Sequence, residues 1–151
     1  MRVVLQSVLN ASVTIDHEVV ASIEKGYLLL VAFTQGDDLN IAKKMADKIV
    51  KSRLFPDENG KTNLSLSSVN GSILSVSQFT LYGSLKDGNR PAFVASMRQE
   101  EARPLYEAFF QYLHEIYPNS CSGVFHADMK VSLVNDGPFT LILDSQELFK
   151  R

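Results

Sequence analysis

The chain of 151 residues has little cysteine, no strong excess of one charge and no long apolar segment. Its one cysteine, Cys121, cannot form an internal disulfide, which is typical of a reducing compartment. The net charge of −2 is unlike that of proteins that coat nucleic acid electrostatically, so an RNA partner would be held mainly at its end. The longest apolar run, residues 27–33, is too short to span a bilayer, and no secretory signal pattern precedes it. We therefore expect a cytoplasmic protein that binds neither membranes nor DNA.

Common sequence motifs of catalysis are also missing. The sequence contains no Gly-x-Ser-x-Gly motif, no Walker loop, no dinucleotide fingerprint and no zinc-ligand spacing. The three histidines, His17, His114 and His126, are scattered along the chain, and we interpret each as structural. Cys121 lies in a polar segment and is interpreted as an ordinary thiol. We expect neither a metal nor an organic cofactor, and the side chains alone do not identify a function.

The apolar pattern predicts several short strands. Segments 2–9, 11–15 and 19–23 are strand-like, with a break at Asn10. The run 27–33 is apolar without alternation, which predicts a central strand that is covered on both faces.

Two amphipathic helices are expected between and after the strands. The first follows Asp38 as its N-cap, and its basic outer face is either a solvated surface or an RNA backbone contact. Ser96 and Gln99 have the spacing of a capping box for the second helix. Pro104 deletes a hydrogen bond inside a helix, so the second helix either begins near Arg103 or is kinked there.

Residues 124–134 and 139–143 are expected to form a terminal hairpin around the loop 135–138. Together these elements predict one domain over residues 1–151. Its fold class is α+β, with mostly antiparallel, barrel-like curled sheets and the two amphipathic helices packed on one side.

Three motifs follow one another along the chain: Ser-Gln-Phe-Thr-Leu at 77–81, Gly-Asn-Arg-Pro at 88–91 and Asn-Asp-Gly-Pro-Phe-Thr at 135–140. The first places polar side chains where a buried strand should end, and there a sheet can present chemistry. Taken singly, the first also fits simple alternation along a strand and the third fits an ordinary hairpin loop.

In this order and spacing, the motifs resemble those of the D-aminoacyl-tRNA deacylases, and the resemblance extends from Met1 to near Asp144. It implies a homodimeric hydrolase that needs no cofactor. The substrate would be the 3' end of aminoacyl-tRNA, whose ester joins a D-amino acid, or glycine, to the terminal ribose. The resemblance also implies that a main-chain N–H stabilises the oxyanion and that the ribose 2'-hydroxyl takes part.

By position, Ser77, Gln78, Phe79 and Thr80 would form the catalytic pocket for the ester and the terminal adenosine. The oxyanion donor would be a main-chain N–H near Phe79 and Thr80. Thr80 is a second candidate as nucleophile, although a hydroxyl without an adjacent base is a poor nucleophile at neutral pH.

Asn135, Gly137 and Pro138 would select the substrate's chirality. The resemblance implies a cis Gly137–Pro138 bond whose carbonyl groups enter the active site of the partner subunit. A related group of proteins holds this bond trans, so its geometry stays open. Lys86 and Arg90 would contact RNA phosphate or hold their own loop.

The chain departs from the family pattern at two positions. Phe139 stands where Val is common, which adds bulk beside the selectivity loop, and Ala92 stands where Ser is usual, which removes one hydroxyl. Two other functions remain open: a non-catalytic module that binds RNA ends or small ligands, and a Ser or Thr hydrolase that acts on small esters.

Overall fold

The computed structural model describes residues 1–149, apart from the side chain of Pro138. Its elements in chain order are β1 (Arg2–Ile15), β2 (Glu18–Ile23), β3 (Gly26–Ala32), α1 (Leu39–Lys51), β4 (Phe55–Pro56), β5 (Thr62–Leu64), β6 (Ser72–Ser77), α2 (Gln99–Ile116), β7 (Ser120–Ser122), β8 (Lys130–Asp144) and α3 (Ser145–Phe149). Short 3-10 helices occur at Ser67–Val69 and Phe79–Tyr82.

The long strand β1 organises the main sheet. On one side it pairs antiparallel with β8, and on the other it pairs first with β3 and then with β2. The resulting order is β2-β1-β3-β6-β7, with β8 on β1. Because β1 changes partners along its length, the sheet curls towards a barrel. The predicted α+β fold, with barrel-like sheets and two helices on one side, is confirmed.

Two strand pairs in the sheet are parallel, namely β3 with β6 and β6 with β7. A parallel pair needs a crossover connection, and here α1 and α2 supply them. Both helices contribute to one core cluster with the sheet. The carboxyl ends of β3 and β6 and the amino end of α2 therefore meet at one edge, which is where open α/β sheets bind ligands.

The strand β3 is buried on both faces, as predicted. Tyr27 and Leu29 pack with Phe109 in the core beneath the helices. Leu28 points the opposite way and packs with Val76 inside the curled sheet. These side chains are almost completely buried, and full burial of such a side chain contributes about 1.5–3 kcal/mol. The central strand thus connects the two cores.

The first helix begins as its sequence predicts. The Asp38 carboxylate accepts a hydrogen bond from the main-chain N–H of Ile41 at 2.9 Å, which satisfies one of the donors left free at a helix start. The exposed side of α1 carries lysines, in agreement with a solvated face. No helix among residues 1–149 is both long enough and apolar enough to cross a membrane.

The start of the second helix differs from the expectation. The helix begins at Gln99, and its N-cap, Arg98, makes no side-chain capping bond. The Ser96 hydroxyl donates to the main-chain carbonyl oxygen of Phe79 instead, so the predicted capping box is wrong. Pro104 lies inside α2, which excludes a start near Arg103.

The strand break expected at Asn10 and the chain reversal expected at residues 135–138 are both absent within residues 1–149. β1 is continuous, with only an irregular register against β8 between Val8 and Asn10. β8 is also continuous, so the predicted terminal hairpin is wrong. Because Gln6 pairs with Thr140 and Val8 pairs with Asn135, residues 136–139 form a bulge in β8.

Candidate active site

A cleft of about 290 Å³ opens at the edge where β3 and β6 end. Its walls come from these two strands, from the first turns of α2 and from the segment between β7 and β8. Ser77, Gln78 and Phe79 all line it, so the structure brings three of the four predicted catalytic residues together. Thr80 is exposed and lies beside the cleft rather than in its lining.

The chain turns sharply at the end of β6. The Gln78 N–H donates to the Val31 carbonyl oxygen at 2.7 Å, which extends the pairing with β3 by one residue. A 3-10 helix then begins at Phe79. Within residues 1–149, the N–H groups of Phe79 and Thr80 donate to no acceptor, as expected for the first amides of a helix. This turn therefore contains two main-chain donors that residues 1–149 leave without an acceptor.

The side chain of Gln78 orients Thr80, since its Nε2 donates to the Thr80 hydroxyl oxygen. Within the described part of the chain, no histidine or carboxylate is hydrogen-bonded to that hydroxyl. The hydroxyl therefore lacks the adjacent base that activates a nucleophilic Ser or Thr.

Aromatic packing holds the outer wall of the cleft. The Phe79 and Phe93 rings meet edge to face, with centroids 5.2 Å apart. Gly83 makes this possible, because a Cβ there would lie 2.8 Å from Phe93 Cε1. The Ser96 hydroxyl also donates to the Phe79 carbonyl oxygen, at 3.1 Å. The role of Phe93 is not evident from the sequence.

A buried chain of hydroxyls supports the floor of the cleft. The Tyr106 hydroxyl is 2.9 Å from the Ser75 hydroxyl oxygen and 2.8 Å from that of Ser122. Burial raises the pKa of Tyr106, which keeps this phenol neutral. Alternation along β6 places Ser75 on the same face as Ser77. Sequence reasoning missed Tyr106, and the only signal for the network was the Ser-x-Ser pattern of β6.

The three histidines have different surroundings. His114 Nδ1 is 3.0 Å from the Ser120 hydroxyl oxygen, and His17 lies in the turn between β1 and β2. His126, which the sequence led us to interpret as structural, lines the cleft. Among residues 1–149, no three His, Cys, Asp or Glu side chains are grouped to hold a metal ion.

Lys86 and Arg90 lie outside the cleft lining, in an exposed loop. Two main-chain hydrogen bonds between Ser84 and Ala92, of 2.8 and 2.9 Å, close this loop. Because the main chain makes both bonds, the loop closes without a side-chain hydroxyl at position 92, where Ala92 replaces the usual Ser. Neither Lys86 nor Arg90 forms an ion pair within residues 1–149.

The structure also separates the predicted selectivity residues from the cleft of their own chain. Asn135 and Gly137 lie at the β8 bulge, and neither lines the cleft. Gly137 is exposed, and within the described structure nothing except its chain neighbours comes within 4 Å of where its Cβ would be. The side chain of Pro138 lies outside the described structure. Asn135 holds the bulge in place through hydrogen bonds to Ser7 and Phe139.

Comparison with known proteins gives the same family as the motifs. The family model described as D-Tyr-tRNA(Tyr) deacylase matches residues 4–144. A D-aminoacyl-tRNA deacylase from Lactobacillus gasseri is 58% identical over 144 residues, which cover 95% of this chain and 99% of that protein. One from Petrotoga mobilis is 50% identical over 150 residues, covering 99% and 100% of the two chains.

Two solved structures share the fold. One, titled "c-Myc DNA Unwinding Element Binding Protein", has a TM-score of 0.89 and 36% identity, covering 95% of this chain and 98% of that one. The other, a probable eukaryotic D-amino acid tRNA deacylase, has a TM-score of 0.83 over 94% and 97% of the chains, and at 16% identity it supports the fold alone. The family match and the sequence relatives cover nearly the whole chain, so this protein is an enzyme that belongs to the D-Tyr-tRNA(Tyr) deacylase family.

Proposed function

We propose that this enzyme hydrolyses the ester between a D-amino acid, or glycine, and the terminal ribose of tRNA, and thereby proofreads chirality. The family and the names of its relatives support the reaction. The structural observation that carries the proposal is the cleft at the end of β6. There, Ser77, Gln78 and Phe79 line the cleft, and the N–H groups of Phe79 and Thr80 donate to no acceptor within residues 1–149.

These N–H groups suit the chemistry of ester hydrolysis. As water attacks the ester carbonyl carbon, negative charge develops on the carbonyl oxygen. The N–H groups of Phe79 and Thr80 would donate to that oxyanion, and one such donor contributes about 10²–10³ in rate in other hydrolases. The ribose 2'-hydroxyl of the substrate would assist the attack. This mechanism requires no side-chain base in the cleft.

The polar side chains would then position the substrate. Ser77 and Gln78 are half-buried at the cleft, where they can bind the amino group or the ribose. Gln78 already holds the Thr80 hydroxyl, which favours a positioning role for Thr80 over a nucleophilic one. Lys86 and Arg90, which are exposed and form no ion pair within residues 1–149, would contact RNA phosphate.

Chirality would be judged by a loop from a second copy of the chain. Gly137 lies outside its own cleft with open space around it, as a donated loop requires. Strands β1, β2 and β8 also expose large apolar side chains, some of which a second copy of the chain would cover in such a dimer. They are Leu9, Val19, Val20, Val134 and Ile142. In a twofold dimer, the Gly137–Pro138 segment of each subunit would enter the other's cleft.

Matched D- and L-aminoacyl-tRNA substrates test the reaction. We expect the purified protein to release the D-amino acid and to leave the L-ester intact. Binding of tRNA without release would instead support the non-catalytic module. Equal hydrolysis of a small ester, or of a substrate whose terminal ribose lacks the 2'-hydroxyl, would support the Ser or Thr hydrolase.

Subunit complementation tests the donated loop. A Gln78→Ala subunit has a defective pocket and an intact loop. A Gly137→Glu subunit has an intact pocket and a defective loop. If the loop acts in the partner's cleft, mixing the two variants creates one pocket in which both parts are intact, and activity returns. If the loop acts within its own chain, the mixture stays as inactive as the separate variants.

A further inference from the structure

The main chain at His126 has an unusual conformation. Its φ of 67° lies in the left-handed region, where an L-residue's Cβ crowds the following carbonyl oxygen. Glycine adopts this conformation without that crowding. A histidine here therefore lowers stability, and such strained residues are common at functional sites.

Contacts within the chain do not explain the histidine. Its side chain is exposed and makes no hydrogen bond to any group in residues 1–149. The ring lies 24° from the plane of Phe125, but the centroids are 6.4 Å apart, near the outer limit for a pair of rings. The exposed imidazole is therefore only loosely paired with Phe125.

The neighbouring ring is firmly held. Phe125 packs against the Tyr106 ring with centroids 5.8 Å apart, and the Arg103 guanidinium lies 5.0 Å from the Phe125 centroid. Phe125 and His126 both line the cleft. His126 is therefore the outer member of an anchored aromatic wall, on the same cleft as Ser77 and Phe79.

We propose that the imidazole of His126 binds the nucleobase at the 3' end of the RNA by stacking on it. This inference rests on the proposed function, in which an aminoacylated RNA end enters the cleft. Proteins that bind single-stranded RNA ends stack the unpaired bases on aromatic rings, histidine included. His126 would thus be a binding residue that favours an RNA ester over a free ester.

His17 provides a matched control, because its φ is 68° and it lies in the β1–β2 turn, outside the cleft lining. We expect both His126→Gly and His17→Gly to keep or raise the melting temperature. His126→Gly should also raise the KM for D-aminoacyl-tRNA roughly tenfold, as expected for one lost stacking contact, with kcat little changed. His17→Gly should leave KM unchanged, and His126→Phe should restore most of the affinity.

An unchanged KM in His126→Gly would show that His126 is only a turn residue and would overturn the inference. A large fall in its melting temperature would also overturn it, since His126 would then support the fold. Affinity for uncharged tRNA is measured on the same variants. If the wild type releases no D-amino acid, the proposed function fails, and the tRNA affinity alone still decides the role of His126.

Discussion

The side chain of Asn135 is bound to the main chain of Ser7, with Nδ2 donating to the Ser7 carbonyl oxygen at 3.0 Å. The same nitrogen donates to the Phe139 carbonyl oxygen at 3.2 Å. A primary amide has two N–H donors, so both bonds can form together. One side chain thus ties the start and the end of the bulge 136–139 to each other and to β1. Through this arrangement Asn135 positions Gly137.

We predict that Asn135→Ala impairs both chiral selection and stability. Loss of the two hydrogen bonds frees the bulge, which should lower the ratio of D- to L-ester hydrolysis about tenfold and the free energy of unfolding by about 1–3 kcal/mol. Rates on paired D- and L-aminoacyl-tRNA and chemical denaturation measure the two effects.

Asn119→Ala is the control for this prediction. Asn119 Nδ2 donates to the Gly71 carbonyl oxygen at 2.8 Å, in a similar structural role away from the bulge. This variant should lose stability and keep the full D-to-L ratio. An unchanged ratio in Asn135→Ala would show that the amide does not position the selectivity loop.

Replacement of the Thr80 hydroxyl should leave measurable activity. In our mechanism the oxyanion donors are main-chain groups, so Thr80→Ala and Thr80→Val should each lower kcat by no more than roughly tenfold. Loss of a true nucleophile costs on the order of 10⁶ in kcat. Single-turnover rates distinguish the two cases, with circular dichroism to verify the fold. A loss of that size in both variants would make Thr80 the nucleophile.

The sequence predicted those parts of the structure that depend on local signals. Asp38 caps α1 because its carboxylate bonds to the N–H of Ile41, three residues later. The unbroken apolar run of β3 reflects burial on both faces, which holds for any strand between two cores. The end of β6 could also be predicted from a local signal, because polar residues follow its apolar residues within a few positions.

The errors occur where distant segments decide the structure. Gly137 and Pro138 suit a tight turn and a bulge equally, and the bulge is selected by pairing of β8 with β1, where Asn135 bonds to Ser7, 128 residues away. Three segments bring Ser75, Tyr106 and Ser122 together, and the Ser-x-Ser pattern of β6 does not indicate which distant residues Ser75 meets. His126 is a similar case, because its place in the cleft depends on how the chain between β7 and β8 folds against β6.

The Tyr106 hydroxyl should contribute substantially to stability. Ser75 is completely buried, so Tyr106→Phe leaves its hydroxyl without its partner and should lower the free energy of unfolding by about 1–3 kcal/mol. Tyr112→Phe is the control: that hydroxyl donates to Asp47 Oδ1 at 2.7 Å in a more exposed position, and its loss should matter less. Urea denaturation of both variants gives the comparison. Equal losses would contradict the assigned importance of the buried network.

Stability should fall at alkaline pH because of buried tyrosines. Burial raises the pKa of Tyr27, Tyr82 and Tyr106 above the ordinary value of about 10. The folded chain therefore retains these protons at a pH where the unfolded chain has released them. The contribution of these tyrosines to the free energy of unfolding is complete below pH of about 10. It is lost as the pH rises through the higher pKa values of the folded state.

Denaturation midpoints measured from pH 8 to about pH 11.5 should thus fall steeply above pH of about 10. Tyr106→Phe, although less stable at neutral pH, should show a shallower fall, because one of the linked protons is gone. Absorbance of the ionised phenol follows the titration directly. If the variant and the wild type fall with the same slope, Tyr106 is not among the groups that couple folding to alkaline pH.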